Sequence, residues 1–520
     1  MSKSPDSQRM EKIVSLCKRR GFIFQSSEIY GGLNGAWDYG PLGVELKRNL
    51  KNYWWRVMVH ERDDIVGMDG SILMNRAVWK ASGHEDTFVD MMRQCSVTNK
   101  RVRADQVESQ SGTIFRFAGA RGDDGSYADV AIVLLQKKGE HAETIRRRAK
   151  EAFLRVLKEA GARSKDVVIQ SETTRQVENS IDFHPETGGE LTEPRAFNLM
   201  FKTYVGATED ESSLTYLRPE TAQAMFVQFK NILEVSRKKL PFGIAQIGKA
   251  FRNEINPRNF TFRSREFEQM ELEYFCRAGE GRKLLDYWLE ERLKFYENIG
   301  IAREKLHARN VPDEERAFYS KGTYDIEYDF PFGRQELEGV AYRTDYDLSQ
   351  HQKASGKSLE YFDEETKQRF VPHVVEPSAG VDRTVLALIC EAYSEDEAPD
   401  EKGKMETRLV LRFHPRMAPI KCGVFPLLRN NAQLVAKAKE IVDLLRPHMN
   451  IFYDESGAIG RRYRRQDEIG TPFGVTVDFE TLGEKDAALR DTVTVRERDS
   501  MKQERVAIND LAGTLLAEIT

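Results

Sequence analysis

Five cysteines in 520 residues, at positions 17, 95, 276, 390 and 422, are too scattered for a disulfide framework, and their odd number leaves one without a mate. That usage suits reduced thiols in a reducing compartment. Long apolar runs are missing as well: Val130–Leu135 and Val385–Cys390 fall far short of the ~20 residues that cross a bilayer. Residues 1–20 are polar and basic, with no apolar stretch of the kind that forms a secretory signal, so a cytoplasmic location is expected. Nor does either sign of charge dominate. A net charge of −4 excludes a generic binder of polyanions, while leaving room for a local basic patch. Repeats and low-complexity tracts are absent.

What is present is material for several cores. Hydrophobic residues make up 40% and charged residues 31% of a chain too long for a single core, so two or more globular domains are expected. Behind the breaker Gly40-Pro41-Leu42-Gly43, the residues Val44, Leu50, Tyr53, Trp54, Val57 and Met58 recur at helical spacing and predict a helix over 44–60. Its wide apolar face is either core or a subunit interface. Residues 107–180 read as an inserted βαβ-like module: a strand at Val130–Leu135, a helix over His141–Ala160 and a strand at Val167–Gln170. The helix sets Ile145, Ala149, Phe153, Val156, Leu157 and Ala160 against a face of arginines and lysines, which is either plainly solvated or a contact for a nucleic-acid backbone.

From Tyr216 to about Cys390 the chain is dense in β-alternation. The acidic, breaker-rich stretch 394–407 then reads as an exposed linker between a first domain over 1–393 and a second over 408–520. The second domain alternates strand candidates (Ile420–Leu428, Asn450–Tyr453, Gly474–Phe479, Thr492–Arg496) with helices, one carrying Leu434, Ala438, Ile441, Val442 and Leu445 on one face. From 407 onward there are 18 Lys and Arg against 16 Asp and Glu, a relatively basic balance. Its densest cluster, Arg461-Arg462-Tyr463-Arg464-Arg465, sets an aromatic ring among four guanidinium groups, as RNA stacking and phosphate contact require.

Chemistry concentrates in residues 243–275. Strand alternation points Ala245, Ile247 and Phe251 one way and Arg252 and Glu254 the other. After the loop INPRNFTFRSR the return strand sets Met270, Leu272 and Tyr274 on the apolar face and Phe267, Gln269, Glu271 and Glu273 on the polar one. Such a face can simply be wet. It also fits a nucleotide, with a ring to stack on a purine, an arginine for a phosphate and carboxylates for a ribose, an amine or a metal ion. Two further segments suit phosphate chemistry. Arg383 follows Gly380 at the start of an apolar helix, and Arg218-Pro219-Glu220-Thr221-Ala222-Gln223 turns into a helix with a carboxylate in its first turn.

The strand, loop and strand opening on Phe-Arg-x-Glu resembles motif 2 of class II aminoacyl-tRNA synthetases, and GVDR before an apolar helix resembles their motif 3. More closely, YGPLGVELK, VWKASGH, LTEPRAFNLMF, YLRPETAQAMF, FRNEINPRNFTFRSREFEQME, ELEGVAYRTDYDL, EPSAGVDR and GRRYRRQDEIGTPFGVTVDF, in that order between residues 39 and 479, are similar to the homodimeric glycyl-tRNA synthetases. That resemblance implies an α+β fold: a class II antiparallel sheet flanked by helices, the inserted α/β module and a C-terminal α/β anticodon-binding domain. It implies ATP, Mg²⁺ and glycine as small partners, tRNA(Gly) as acceptor, and a homodimer. Carried over by position, ATP would meet Arg252, Asn253, Glu254, Phe262, Arg263, Ser264, Arg265, Glu266, Phe267, Glu336, Leu337, Gly380, Val381, Asp382 and Arg383, with Mg²⁺ near Glu336. In that reading Arg252 binds the α-phosphate, Glu254 the adenine amino group and Arg383 the γ-phosphate, and these three form the catalytic set. Phe267 stacks on the adenine. Glycine would lie among Arg103, Glu220, Phe267, Glu268, Gln269, Met270, Glu271, Glu376, Pro377 and Ser378. Transfer RNA would meet Arg461, Arg462, Arg464 and Arg465.

Two departures from the resemblance matter. Asn75-Arg76 stands before VWKASGH where relatives often place a proline, which bears on local geometry and the dimer contact. The four cysteines with which many relatives hold zinc read here as Cys95, Thr98, His184 and Thr187, and two ligands do not make a structural zinc site. No zinc is expected. Two other functions fit the same fold: a synthetase-like accessory protein that binds nucleic acid, and a synthetase for another small amino acid.

Overall fold

The computed structural model describes residues 5–317, 319–399 and 405–519, which form two compact units, one of residues 1–82 with 200–520 and one of residues 83–199. The first unit is built on a seven-stranded sheet in the order Leu306–Asn310, Gly322–Phe330, Gly333–Thr344, His373–Gly380, Glu266–Cys276, Phe242–Phe251 and Ile65–Gly67. Every neighbouring pair is antiparallel except the last. Helices and mixed sheets make this the α+β fold that the sequence implied.

Alternation along the central hairpin divides its residues between two environments. Ala245, Met270, Leu272 and Tyr274 enter a large core with Leu46, Leu50 and Trp54 of one helix, Leu285, Trp288 and Leu293 of another, and Val385, Leu386 and Ile389 of the helix Val381–Ala392. On the other face Phe242, Ile244, Phe275 and Val374 pack against Ala222, Met225, Phe226 and Phe229 of the helix Ala222–Ser236. The polar face is therefore not a wet one. Glu271 is 1% exposed and Glu273 0%, because helix and sheet close over them.

The helix expected over 44–60 spans Pro41–Trp55 and continues as a π-turn over Arg56–His60. Pro41 occupies the first turn, where its missing N–H has no partner to lose, so the breaker starts the helix instead of preceding it. Val44 is 39% exposed, and Leu46, Leu50, Tyr53 and Trp54 carry the buried stripe. Gly43 lies against the chain at Phe22, whose carbonyl oxygen would sit 1.8 Å from an added Cβ. Asn75 caps the short helix Arg76–Ala81 by accepting the Ala77 N–H at 2.9 Å, so the asparagine supplies a start that proline would have supplied differently.

The stretch read as an exposed linker is mostly a β-hairpin: Tyr393–Pro399 pairs antiparallel with Met405–Leu411, and residues 400–404 lie outside the described residues. Its acids are counter-ions. Asp396 receives both Arg408 and Arg412, and Arg408 reaches on to Asp467 at 3.1 Å. Beyond it a five-stranded sheet in the order Ile451–Tyr453, Cys422–Pro426, Phe473–Val477, Thr492–Glu497 and Gln503–Ala507 has its own core, which includes Leu434, Ala438, Ile441, Val442 and Leu445 of the helix Ala432–Leu445.

The arginine cluster lies on the helix Ile459–Ile469 and divides by face. Arg462 is 2% exposed and donates to the carbonyls of Pro426, Glu455 and Gly457, so it is spent on its own domain and is not available to RNA. Tyr463 packs edge-on against Phe425 and bonds Thr476 at 2.6 Å, so its ring is not a free stacking platform. Arg461 is exposed, Arg464 is half-buried, and Arg465 is half-buried against Asp454 at 2.6 Å.

In the second unit, the inserted module has a strand that the sequence did not announce. Gln110–Gly122 lies between Tyr127–Leu135 and Val167–Ser180, antiparallel to both, so the outer two run parallel and are joined by the helix Ala142–Glu159. The result is a split βαβ unit. Three glycines and two arginines in the central strand hide its alternation. Ile145, Ala149, Phe153 and Leu157 are buried as the helical spacing requires. The basic face pairs inside the module, Arg146 with Glu172 and Arg148 with Glu140, both at 2.8 Å. Where zinc would have sat, the Cys95 sulfur is 3.4 Å from the Thr187 hydroxyl, and His184 Nδ1 accepts the Glu186 N–H at 3.2 Å.

Two stability measurements follow. Gly43→Ala drives a methyl into the Phe22 carbonyl, and urea unfolding should show a loss of about 3 kcal/mol. Arg462→Ala leaves buried carbonyls without donors and should cost about 2–4 kcal/mol, whereas Arg461→Ala should stay within about 0.5 kcal/mol.

Candidate active site

A cavity of about 310 Å³ opens on the polar face of the central hairpin. Its walls come from the hairpin and its loop (Arg252, Glu254, Thr261, Phe262, Arg263, Ser264, Phe267, Gln269), from the strand Gly333–Thr344 (Glu336, Leu337, Gly339) and from the sheet-to-helix turn (Ser378, Gly380, Asp382, Arg383). Register explains the convergence. Ala250 faces Phe267 and Gly248 faces Gln269 across the hairpin, while Gln269 faces Gly380 and Glu271 faces Ser378 on the next strand. Small residues thus alternate with functional ones and leave room above the sheet.

One end is cationic and aromatic. The Arg252 guanidinium lies 5.4 Å from the Phe267 ring centroid and is steadied by the Pro219 carbonyl at 3.0 Å. Arg383 stands over the Phe262 ring at 4.4 Å and donates to the Glu336 carbonyl at 2.9 Å. Arg383 also lies in the first turn of the helix Val381–Ala392, whose free N–H groups add to the positive field. Arg263 pairs with Glu254 at 3.0 Å. Asp325, Glu327 and Glu336 crowd together here. Burial, with Glu336 adding, pushes the Asp325 carboxyl up to about 6 even though Arg309 pairs with it at 3.4 Å, and Glu336 pairs with Arg383 at 3.3 Å; hard oxygen donors of this kind fit Mg²⁺.

The other end is acidic. Glu271, Glu273 and Glu376 bring carboxyl oxygens within 4.8 Å of one another. Glu271 accepts from the Thr221 hydroxyl and from Ser378 at 2.7 Å. Arg343 donates to Glu376 at 2.6 Å and makes a two-point pair with Asp347 at 2.8 and 2.9 Å. Gln223 holds Glu220 at 2.9 Å and Asp347 at 3.0 Å, and is itself fixed by His351 at 2.7 Å. Burial raises Glu376 well above the ordinary glutamate range, with Arg343 opposing and Glu271 and Glu220 adding. Glu271 is thus oriented by two hydroxyls and Glu376 by Arg343.

Several residues carried over as a block are not brought to the cavity. Glu268 and Met270 point to the opposite face, because a strand cannot turn consecutive side chains the same way. Glu268 pairs there with Lys47 at 2.7 Å and Lys51 at 3.0 Å, and Met270 is core. Pro377 and Val381 are buried, Val381 in the core behind the sheet. Glu266 pairs with Lys249 at the surface, and Arg265 braces the Asn34 and Glu254 carbonyls. Asn253 is half-buried outside the cavity lining. Asp382 does line the cavity, but its carboxylate accepts from Tyr39 at 2.6 Å, Lys47 at 2.8 Å and the Glu268 N–H at 2.7 Å, so it is a brace. Glu220, Glu271 and Glu376 lie at the acid end, below the lining. Arg103 belongs to the second unit, where it pairs with Asp105 at 2.8 Å and Asp90 at 3.2 Å. Sequence reasoning missed Thr261 and Gly339. For Gly339 a signal existed, a lone glycine among strand residues, which marks close approach of another group.

Comparison with known proteins agrees with this geometry. The family description "tRNA synthetase class II core domain (G, H, P, S and T)" matches residues 201–393, and "Anticodon binding domain" matches 421–518. The glycine–tRNA ligase of Thermobifida fusca is 48% identical over 508 residues, covering 97% of both chains. That of Rhodopirellula baltica is 46% identical over 548 residues, covering 97% of this chain and 98% of its own. That of Thermus thermophilus is 48% identical over 526 residues, with 97% and 98% covered. With cavity, domain order and full-length similarity in agreement, the chain belongs to the glycine–tRNA ligase family of class II aminoacyl-tRNA synthetases.

Proposed function

We propose that the protein attaches glycine to tRNA(Gly) in two steps through glycyl-adenylate, at the cavity lined by Arg252 and Arg383 and the acids Glu271 and Glu376 beneath it. The observation that carries this reading is the polarity of the two: arginines and a ring line the cavity, buried acids lie below it, and Gln269 and Ser378 join them. ATP lies at the cationic end, its adenine on Phe267 with its amino group near Glu254, its α-phosphate on Arg252 and its γ-phosphate on Arg383. The loop Phe262–Arg263–Ser264 and Leu337 line the nucleotide. Glu336 with its neighbouring acids would hold Mg²⁺, which would supply neutralisation of phosphate charge. Glycine enters with its ammonium toward Glu220, Glu271 and Glu376, assisted by Ser378.

The chemistry needs position and charge neutralisation more than a covalent helper. A glycine carboxylate oxygen attacks the α-phosphorus, the bond from that phosphorus to the α,β-bridging oxygen breaks, and pyrophosphate leaves. Arg252 takes up the charge that develops on the α-phosphoryl oxygens. A ribose hydroxyl of the tRNA terminus then attacks the adenylate carbonyl and AMP departs. Glycine offers no side chain to grip, so selection rests on contacts to the ammonium and on walls that leave no space for a Cβ. Gln269 and Ser378 form such walls.

We assign catalysis to residues 1–393 with the insertion at about 107–180, and anticodon recognition to 408–520, where Arg461, Arg464 and Arg465 carry the phosphate contacts. A cytoplasmic homodimer without zinc completes the reading; the buried state of all five cysteines suits a reducing compartment.

ATP–pyrophosphate exchange measured with glycine, alanine and serine decides the substrate: exchange driven by glycine alone is expected. Exchange with serine overturns the specificity, and exchange with none makes the protein an accessory nucleic-acid binder. Glu376→Gln should raise the KM for glycine about 30-fold or more and leave that for ATP within about twofold, reflecting the ~2 kcal/mol that a carboxylate supplies to a buried ammonium group. Arg464→Ala and Arg465→Ala should each cut tRNA charging about tenfold while sparing glycine-dependent exchange, in line with the ~1.4 kcal/mol that one phosphate ion pair supplies; equal loss of both activities would make those arginines structural.

A further inference from the structure

The acid pocket has a floor that the reaction as proposed leaves without a task. Glu273 is the next residue of the return strand to face inward after Glu271, and the last before Phe275, whose ring packs with Phe229 and Phe242 in the apolar cluster. Its side chain is fully buried, and among the described residues neither carboxyl oxygen has a hydrogen-bond partner. An ionised carboxylate without water or donors is among the costliest states a protein interior can hold.

The surroundings do not offset that cost. Glu271 on the same strand and Glu376 on the next each place an oxygen within 4.8 Å. Asp347 on the helix Tyr346–Ser355 adds a further negative charge, and Glu220 acts on Glu376 from the other side. The opposing cation is Arg343, shared between Asp347 and Glu376 and covered by the Tyr319 ring at 4.1 Å. Burial, with Glu376 adding, raises the Glu273 carboxyl well above the ordinary glutamate range.

We propose that Glu273 is a proton store beneath the amino-acid pocket, neutral while the pocket is empty and ionised when a substrate ammonium group settles against Glu271 and Glu376. The proton leaves for solvent by way of those two carboxyls, whose oxygens lie within 4.8 Å of its own. The pocket then meets its cation with one more negative charge than it could carry when empty. This inference rests on the reading of Glu271 and Glu376 as the ammonium site. Its sign is fixed by linkage: a ligand that lowers the proton affinity of a group binds more tightly as pH rises, by up to about tenfold per pH unit, until the group is ionised in the empty pocket as well.

The test is calorimetric titration of the full-length protein with glycine in two buffers of different ionisation heat, across a pH series. The wild type should release up to about one proton per glycine bound at neutral pH and bind more tightly as pH rises. Glu273→Gln, which keeps the shape and fixes the group neutral, should release none and lose the pH slope. Wild-type binding without proton release overturns the proposal, and so does an unchanged proton count in Glu273→Gln, because another carboxyl would then be the store. A purely structural Glu273 would shift affinity equally at every pH and leave the proton count alone. Should Glu273→Gln fail to fold, the infrared difference spectrum of the wild type on glycine addition decides: loss of a protonated-carboxyl band supports the store, and an unchanged band overturns it. Failure of the underlying reading looks different, since Glu376→Gln would then bind glycine as the wild type does.

Discussion

One buried guanidinium sets the character of the acid end. Arg343 lies between Asp347 and Glu376, with Glu220, Glu271 and Glu273 close by and Arg218 acting on Glu271, so the buried acids outnumber the guanidinium groups that face them. Such a pair is poor evidence for stability, since the desolvation of both partners offsets most of their attraction. What it provides is direction. The two-point contact with Asp347 fixes the guanidinium plane, the remaining donor fixes Glu376, and Gln223 extends the arrangement to Glu220. Apolar packing of Phe226, Phe229, Phe242 and Phe275 below supplies the free energy that holds this array in place.

A second joint holds the cationic end. Asp382 gathers Tyr39, Lys47 and the Glu268 N–H, and Glu268 adds its own pairs with Lys47 and Lys51. Although burial opposes it, Asp382 and then Glu268 hold the Lys47 ammonium above the ordinary lysine range; burial likewise opposes the lowering of Glu268, and Lys47 outweighs it and holds that carboxyl below the ordinary glutamate range. Helix Pro41–Trp55, the return strand and helix Val381–Ala392 are thereby tied at one point behind the cavity. The arrangement also accounts for an aspartate in the cationic wall of the cavity. Its charge is neutralised on the far side of the sheet, so it does not cancel the field of Arg252 and Arg383.

Where a residue's role followed from alternation it was legible in the sequence. Ala245, Met270, Leu272 and Tyr274 went to the core, Arg252, Phe267, Gln269 and Glu271 to the other face, and the spacing of Leu434 through Leu445 gave a helix with those residues buried. What was not legible was hidden for nameable reasons. The carried-over run Phe267–Glu271 ignores that every second residue points away, which is why Glu268 and Met270 fall outside. The stretch 394–407 looks like a linker by composition, and pairing partners cannot be seen from composition. Arg462 reads as a surface cation because nothing local signals the Pro426, Glu455 and Gly457 carbonyls that converge on it. Burial of Glu271 and Glu273 depends on the helix Ala222–Ser236 closing over the sheet, a tertiary event with no sequence period.

The same two strands build the core and the site, and that has a structural consequence. Because side chains alternate with a period of two, a slip of one residue in the return strand would bring Met270 and Leu272 into the cavity and drive Gln269, Glu271 and Glu273 into the core. Such a register would place three polar side chains among Leu50, Trp54 and Trp288 in the apolar core. Tyr274 adds a polar lock, since its hydroxyl donates to Asp64 at 2.6 Å only in the observed register. The positions of the acids are thus set by the hydrophobic effect on the opposite face and not by attraction among themselves, which are mostly of like charge. A pocket of mutually repelling carboxylates can persist, poised for a cation, because its geometry is enforced from behind the sheet.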